Sequence, residues 1–287
     1  MNAASGAGTL FVVATPIGNL ADVTERALRT LREVELVLAE DTRVSGALLR
    51  HFGISTAVQS LHAHNERQRT RELLARLEKG ASLALVTDAG TPLISDPGFM
   101  LVRAAREAGV RVVPVPGASA PIAALSVSGL AVDRFSFEGF LPAATSARRQ
   151  VLEALREERR TMVFFEAPHR IAASLRDMAS TFGAERRACL AREMTKLFET
   201  IVTDRLAALL ARVEADPGQC RGEIVVCVEG AAVPDPALSE GRRVASILAR
   251  YLSPSQAAAA AAEITGVPRK TIYRRMLADG DGDPGAT

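Results

Sequence analysis

The 287-residue chain has no tryptophan, two tyrosines, three cysteines and four histidines. With so few large aromatics, its core must be filled by Leu, Val, Ala and Phe, and a hydrophobic fraction of 48% is ample for one large domain or two moderate ones. Cys189, Cys220 and Cys227 are odd in number and form no C-x-x-C pair. That argues against a disulfide framework and for a reducing, cytoplasmic setting, with Cys189 and Cys227 as small core residues. His51, His62, His64 and His169 make no H-E-x-x-H, so no protein-bound metal is expected. No apolar run approaches about 18 residues, so neither a membrane helix nor a membrane partner is expected. The start, MNAASGAGT, lacks the basic and apolar stretches of a secretory signal. The net charge of +2 says little about partners, but seven Lys or Arg face one acid, Glu263, between Gly241 and Ala278. Such a local basic surface suits phosphate.

Short Val- and Leu-rich runs alternate with amphipathic segments through the first 127 residues. TLFVVATPIGN reads as a strand at Leu10–Ala14 followed by a tight loop, Thr15–Asn19. VELVLAEDTR is a second strand that ends on Glu40, Asp41 and Arg43, and VQSLHAHNE a third that runs into Asn65 and Glu66. SLALV is a buried strand, followed by TDAGTPLISDPG, Thr87–Gly98. VRVVPVPGASA adds a strand, a Pro–Gly turn and a helix from about Ala118. Helices are expected at 67–79 and 97–108. The alternation predicts an α/β domain with a parallel sheet, and ligands gather beyond the carboxyl ends of such strands.

The rhythm changes near Gly129, which divides the chain into 1–127 and a second α/β domain, 128–231. The latter opens with FSFEGFLP, continues through a helix at 148–157, TMVFFEAPHR and a helix at 171–182, and closes with the late strand GEIVVCVEG, for which an edge position is open. Residues 232–287 read as a Pro-containing linker (Ala231–Glu240), two short helices around Gly266 that resemble a helix-turn-helix, and a disordered tail after Asp279. Ser253, Pro254 and Gln256 make a capping box for the first of these helices.

Three loops hold small residues where a ligand would approach the backbone. In DAGTPLISDPG, Gly90 and Gly98 permit close approach, Pro92 and Pro97 restrict the chain, and Asp88 and Asp96 accept hydrogen bonds. It is neither G-x-G-x-x-G nor a Walker loop. TPIGN and PGASA repeat the pattern. Together they suit a shared crevice for a small polar cofactor, although plain Gly–Pro connectors would look similar. FFEAPHR supplies Glu166, His169 and Arg170, and REMTKLFE supplies Arg192, Glu193, Lys196 and Glu199. These residues suit either nucleophile steering and phosphate binding or a hydrogen-bonded seam between domains.

In order along Leu10–Gly230, VVATPIGNLADVTERALRTL, LAEDTRVSGALL, LVTDAGTPLISDPG, VVPVPGASAPIAALSVSGL, GFLP, FFEAPHRI and REMTKLFE resemble the tetrapyrrole methylase superfamily, most closely its ribosomal RNA (cytidine-2'-O)-methyltransferase branch. The terminal helix pair is similar to that branch's extension. The resemblance implies a two-domain tetrapyrrole-methylase-like fold with a cofactor cleft between the domains, a homodimer, and S-adenosyl-L-methionine as cofactor. It implies methylation of a cytidine ribose 2'-hydroxyl in the decoding region of 16S rRNA, within the small ribosomal subunit. By motif position, Pro16, Gly18, Asp88, Ala89, Gly90, Thr91, Ile94, Ser95, Ser119, Ala120, Leu141, Ala191 and Gly222 fall on the cofactor side. Glu40, Asp41, Arg43, Asn65, Glu66, Glu166, His169, Glu193 and Lys196 fall on the substrate side, with Glu166 as a hydroxyl acceptor and Lys196 as a phosphate partner. Arg269, Lys270, Arg274 and Arg275 are the expected rRNA contacts. Two alternatives stay open: a tetrapyrrole-precursor methyltransferase, and a non-catalytic RNA-binding or ribosome-assembly protein.

Overall fold

The computed structural model describes residues 8–232 and 236–280. Five short strands form the first sheet: β1 (Thr9–Val13), β2 (Leu36–Ala39), β3 (Val58–Ser60), β4 (Leu83–Leu85) and β5 (Arg111–Val115). They are parallel, in the order β3-β2-β4-β1-β5. The crossovers are helices α1 (Glu25–Glu33), α2 (Thr42–His51), α3 (Glu66–Glu78) and α4 (Phe99–Glu107). Every residue of β2 is buried because helices cover both faces. Its period-2 alternation sends Leu36 and Leu38 into one core with Leu73, Leu77 and Leu101, while Val37 and Ala39 enter the opposite core with Leu31 and Leu49. Parallel strands bring the loops after β1, β2, β4 and β5 to one edge.

Helix α5 (Ala120–Val127) leads to the second sheet: β6 (Phe135–Phe140), β7 (Thr161–Glu166), β8 (Arg187–Arg192), β9 (Thr200–Arg205) and β10 (Ile224–Val228). Helices α6 (Thr145–Ala154), α7 (Ile171–Phe182) and α8 (Leu206–Ala215) connect them. The order is β6-β7-β10-β8-β9, parallel only between β6 and β7. The edge position considered for the late strand is therefore corrected. Although formed last, β10 inserts between β7 and β8, and all five of its residues are buried. IVVCV is apolar at consecutive positions, which fits a strand packed on both faces. One of these faces joins Val163, Cys189 and Val225 to Ile17, Ala124 and Leu125, so the β1 loop and α5 share a core with the second sheet. Burial pushes both Cys189 and Cys227 thiols up, Cys227 to about 12, so neither supplies a thiolate.

Helix starts move by a few residues. Gly98, at φ +122°, delays α4 to Phe99, α5 begins after Ser119, and α6 runs earlier than 148–157. Both sheets lie in one unit that ends at Ala231, and a separate helical unit begins at Ala232. The latter holds three helices rather than two: α9 (Pro236–Leu248), α10 (Pro254–Thr265) and α11 (Arg269–Gly280). Helix α9 takes part of the stretch read as linker, because Ala245 enters a core with Ala258, Ala261, Val267 and Ile272. The Ser253–Gln256 capping box forms, and Gly266 ends α10 at φ +73°. Most of the tail after Asp279 lies outside the described residues. Among the described residues no helix is long and apolar enough to cross a membrane.

One buried ion pair ties α6 to α7. Arg148 and Asp177, each 4% exposed, meet at 2.6 Å, and Arg149 reaches the other Asp177 oxygen at 2.8 Å. Burial opposes ionisation of Asp177, but the guanidinium groups of Arg149 and Arg148 outweigh it and lower the pKa. A carboxylate depressed in the folded state stabilises above its unfolded pKa, near ~3.9. That contribution is lost as pH falls through the lower folded value. Asp177→Asn is therefore expected to cost about 3–5 kcal/mol at neutral pH, by urea unfolding, because Arg148 stays buried without its charge partner. The gap to wild type should narrow in acid.

Candidate functional site

The loop after β1 is held on two sides. Thr15 and Gly90 exchange backbone hydrogen bonds of 2.9 and 3.1 Å, and the Thr15 hydroxyl donates to the Thr87 carbonyl at 3.1 Å. On the other side, the Asn19 amide donates to Thr195 Oγ1, 3.1 Å away in the turn after β8. The Thr91 hydroxyl donates to the Ala118 carbonyl at 3.0 Å, tying in the loop after β5. These loops are tight. Leu93 and Ser95 adopt φ of +73° and +71°, and Glu193 and Thr195 adopt +52° and +67°. Left-handed non-glycine residues cluster where surrounding structure holds them against strain, often at ligand sites.

The loops enclose a cavity of about 410 Å³ between the sheets. Of the cofactor-side candidates, Asp88, Ala89, Gly90, Thr91, Ile94, Ser95, Ser119, Ala120 and Gly222 line it. Gly90, at φ +86°, brings backbone to the wall, where a Cβ would stand 3.2 Å from Ile17 Cγ2. Pro16 and Gly18 line instead a second cavity of about 430 Å³, which shares Ile17, Thr87, Asp88, Ala89 and Glu223 with the first. Leu141 and Ala191 line neither, because both side chains are spent in the core, at 3% and 1% exposure. Their places on the wall go to Phe140 and Met194, which motif reading missed. Phe165 joins Phe140 there, with ring centroids 5.4 Å apart.

The substrate-side candidates separate into three groups. Glu193 and Lys196 come together: Lys196 Nζ lies 2.7 Å from Glu193 and 3.1 Å from Glu223. Burial works against the ammonium, but the two carboxylates outweigh it and raise its pKa, while Lys196 holds Glu193 low. The arrangement needs two glycines. A Cβ on Gly18 would lie 2.5 Å from Lys196 Cγ, and one on Gly222 would lie 2.3 Å from the Glu193 carboxyl. With its charge paired twice, Lys196 is not a free phosphate anchor.

Glu40, Asp41 and Arg43 sit beside the β4 loop and line neither cavity. The Asp41 amide donates to Asp88 at 3.2 Å. Hydrogen bonds from Arg43 hold the Asp41 carboxyl down at about 2. Partial burial raises Asp88, Asp96 and Glu40, and the acids' mutual repulsion adds to it.

Of the remaining four candidates, three build structure. Asn65 closes a turn by accepting from the His62 amide at 2.9 Å. Glu66, 7% exposed, accepts from the Met100 and Leu101 amides at 2.7 and 3.3 Å, fixing the start of α4. Glu166 lines the first cavity, yet its oxygens are taken by Ser174, the Ala167 amide and Arg170, the last at 2.6 Å. His169 is exposed in a short turn, Pro168–Arg170. Among the described residues, no group of three or more His, Cys, Asp or Glu is placed to hold a metal ion.

In the helical unit Arg269, Lys270 and Arg274 are exposed at the start of α11, with Arg269 donating to Ser255 at 2.6 Å. The Arg275 side chain lies outside the described residues. Since Lys196 is the first cause of the low Glu193 pKa, Lys196→Met is expected to raise that carboxyl toward its ordinary value, read by carbon-13 NMR titration.

A family model for tetrapyrrole (corrin/porphyrin) methylases matches residues 9–210, and one for the RsmI C-terminal HTH domain matches residues 235–280. The chain is 57% identical over 267 residues to ribosomal RNA small subunit methyltransferase I of Xylella fastidiosa strain Temecula1, covering 93% of this chain and 98% of that protein. It is 49% identical over 271 residues to the protein of the same name from Escherichia coli O157:H7, covering 94% and 95%. Among solved structures, the methyltransferase CobJ superposes with a TM-score of 0.59 at 19% identity, covering 79% of this chain and 95% of that one. Uroporphyrin-III-C-methyltransferase from Thermus thermophilus gives 0.56 at 21%, covering 77% and 94%. At such identities these structures speak for the fold alone. The chain belongs to the tetrapyrrole methylase family, in its ribosomal RNA small subunit methyltransferase I branch.

Proposed function

We propose that this protein transfers a methyl group from S-adenosyl-L-methionine to the ribose 2'-hydroxyl of a cytidine in the decoding region of 16S rRNA. The observation that carries the reading is the likeness to rRNA methyltransferases along almost the whole chain, helical unit included. That extent favours rRNA over a tetrapyrrole precursor, and a fully formed cleft favours an enzyme over an inert RNA-binding protein. The working form is a cytoplasmic homodimer that acts on the small ribosomal subunit without a membrane partner.

The first cavity suits the cofactor. Its wall combines apolar Ile17, Ile94, Phe140 and Met194 with backbone brought close at Gly90 and a few polar groups, the usual composition of a small-molecule site. Bound there, S-adenosyl-L-methionine supplies an electrophilic methyl carbon. The protein's task is to hold the ribose oxygen in line with that carbon. Positioning of this kind is worth roughly 7–11 kcal/mol in favourable intramolecular systems. Proton acceptance adds about a hundredfold to ten-thousandfold.

Asp88 lines both cavities, and partial burial makes its carboxylate a stronger acceptor than a free one. It takes the hydrogen bond from the hydroxyl and receives its proton. The Glu193–Lys196–Glu223 cluster fixes the facing loop.

The test is transfer of labelled methyl to small subunits lacking the modification, with nucleotide-level mapping. A single label on one cytidine 2'-oxygen is expected, and unlabelled subunits despite cofactor binding would defeat the reading. Lys270 and Arg274 are proposed to contact rRNA phosphate, together with Arg269 and Arg275. Lys270→Glu with Arg274→Glu should weaken rRNA affinity and flatten its salt dependence by about one log–log unit per lost contact, leaving cofactor affinity unchanged. Equal salt slopes for variant and wild type would assign the helical unit another role.

A further inference from the structure

We propose that Tyr273 of α11 is a stacking platform for an unpaired rRNA base, with Lys270 and Arg274 on the adjoining phosphates. The proposal rests on the reading above and deepens it by naming the kind of RNA that the helical unit takes, an unpaired strand and not a duplex. It starts from where the tyrosines are. The chain has two, Tyr251 and Tyr273, and both fall in the helical unit, while all ten phenylalanines precede it. The core of that unit is aliphatic, built on Ala245, Ala258, Ala261, Val267 and Ile272, and uses neither ring. Tyr251 is 81% and Tyr273 36% exposed. A ring kept out of the core and in water is available for contact.

Ile272 anchors α11 in the core and is fully buried. The helix turns its other side outward, where Lys270, Tyr273 and Arg274 are exposed. Lys270 precedes Tyr273 by three residues and Arg274 by four, so the three share a face. No Asp or Glu lies between Gly266 and Ala278 to neutralise it. Tyr251, after α9, has only Arg250 beside it in sequence, which leaves Tyr273 as the ring set between cations. Helix-turn-helix units read DNA by laying their second helix in the major groove. Duplex RNA closes that route, because its major groove is deep and narrow and a helix with its side chains is about 10–12 Å across. Helix α11 also carries no Asn or Gln to read adenine edges. An aromatic face between cations is how proteins hold unpaired bases together with their backbone.

With no tryptophan in the chain, tyrosine emission reports on the helical unit alone, and in Tyr251→Phe it reports on Tyr273 alone. Corrected for absorption by RNA, emission from that variant should be quenched by a short unpaired RNA and by undermethylated small subunits, and much less by a duplex of the same sequence. Tyr273→Ala should bind the unpaired RNA about tenfold more weakly, in the range of one lost stacked base. Its salt slope should match wild type, because no phosphate contact is removed. Tyr273→Phe should bind as wild type does. Tyr273→Leu keeps apolar packing without a π face and should lose as much as the alanine variant with Tm unchanged, which separates stacking from damage to the fold. Unquenched Tyr273 in the bound complex, wild-type affinity in Tyr273→Leu, or equal affinity for the duplex overturns the proposal. If wild-type protein still labels a cytidine 2'-oxygen, those results leave the parent reading standing. Absence of that label strikes the parent reading and, with it, rRNA as the ligand of Tyr273.

Discussion

A pair of backbone hydrogen bonds between Thr15 and Gly90 holds the loop after β1 against the loop after β4. The rest of the cleft depends on that contact. Strands β1 and β4 are neighbours in the sheet, so their loops leave side by side, but parallel strands do not by themselves fix where such loops point. The Thr15–Gly90 bridge prolongs sheet-like pairing past the strand ends and gives the loops one position. It turns Gly90 into the first cavity and leaves Pro16 and Gly18 facing the second. Backbone pairing of this kind is insensitive to side-chain rotamer, which suits a wall against which two ligands must be aligned.

The second constraint is electrostatic. Lys196 sits among two carboxylates, and the turn that carries it passes through left-handed backbone at Glu193 and Thr195. Such backbone costs on the order of 1–3 kcal/mol per residue and persists only where other contacts hold it. The paired charges and the Thr195–Asn19 hydrogen bond provide that hold. Gly18 and Gly222 are required on geometric grounds, since any Cβ there would collide with the Lys196 and Glu193 side chains. The same two carboxylates that rigidify the turn also neutralise the lysine, so its contribution is to shape.

Much of this was legible in the chain. Period-2 and period-3.6 patterns locate the strands and helices, and the Gly- and Pro-rich loops mark strand ends that line the cavities. Legibility failed where sequence order and space part company. IVVCV comes last and lies in the middle of its sheet, because antiparallel insertion needs no local signal. Leu141 and Ala191 belong to motifs that border the cavity, yet their side chains turn into the core while their neighbours line the wall. Glu66 and Glu166 look like available carboxylates in one dimension. Folding brings Glu66 Oε1 to two amides of α4, and engages both Glu166 oxygens with Ser174, the Ala167 amide and Arg170.

The placement of the acids decides which of them can act. Glu166 is buried with both oxygens engaged, and Arg43 holds the Asp41 carboxyl down. Glu223 also borders both cavities, but its charge is shared with Lys196 and its side chain is 69% exposed. Asp88 alone among these combines a raised pKa with a place on the shared wall. A carboxylate that merely attracted a cation in the first cavity would stabilise the ground state and gain no rate, because only interactions stronger in the transition state accelerate a reaction. One that receives a hydroxyl proton as the oxygen attacks strengthens its interaction as the reaction proceeds. Asp88 thus carries a carboxyl of raised pKa on the wall shared with the second cavity, in a first cavity whose lining also includes Asp96, Glu166 and Glu223.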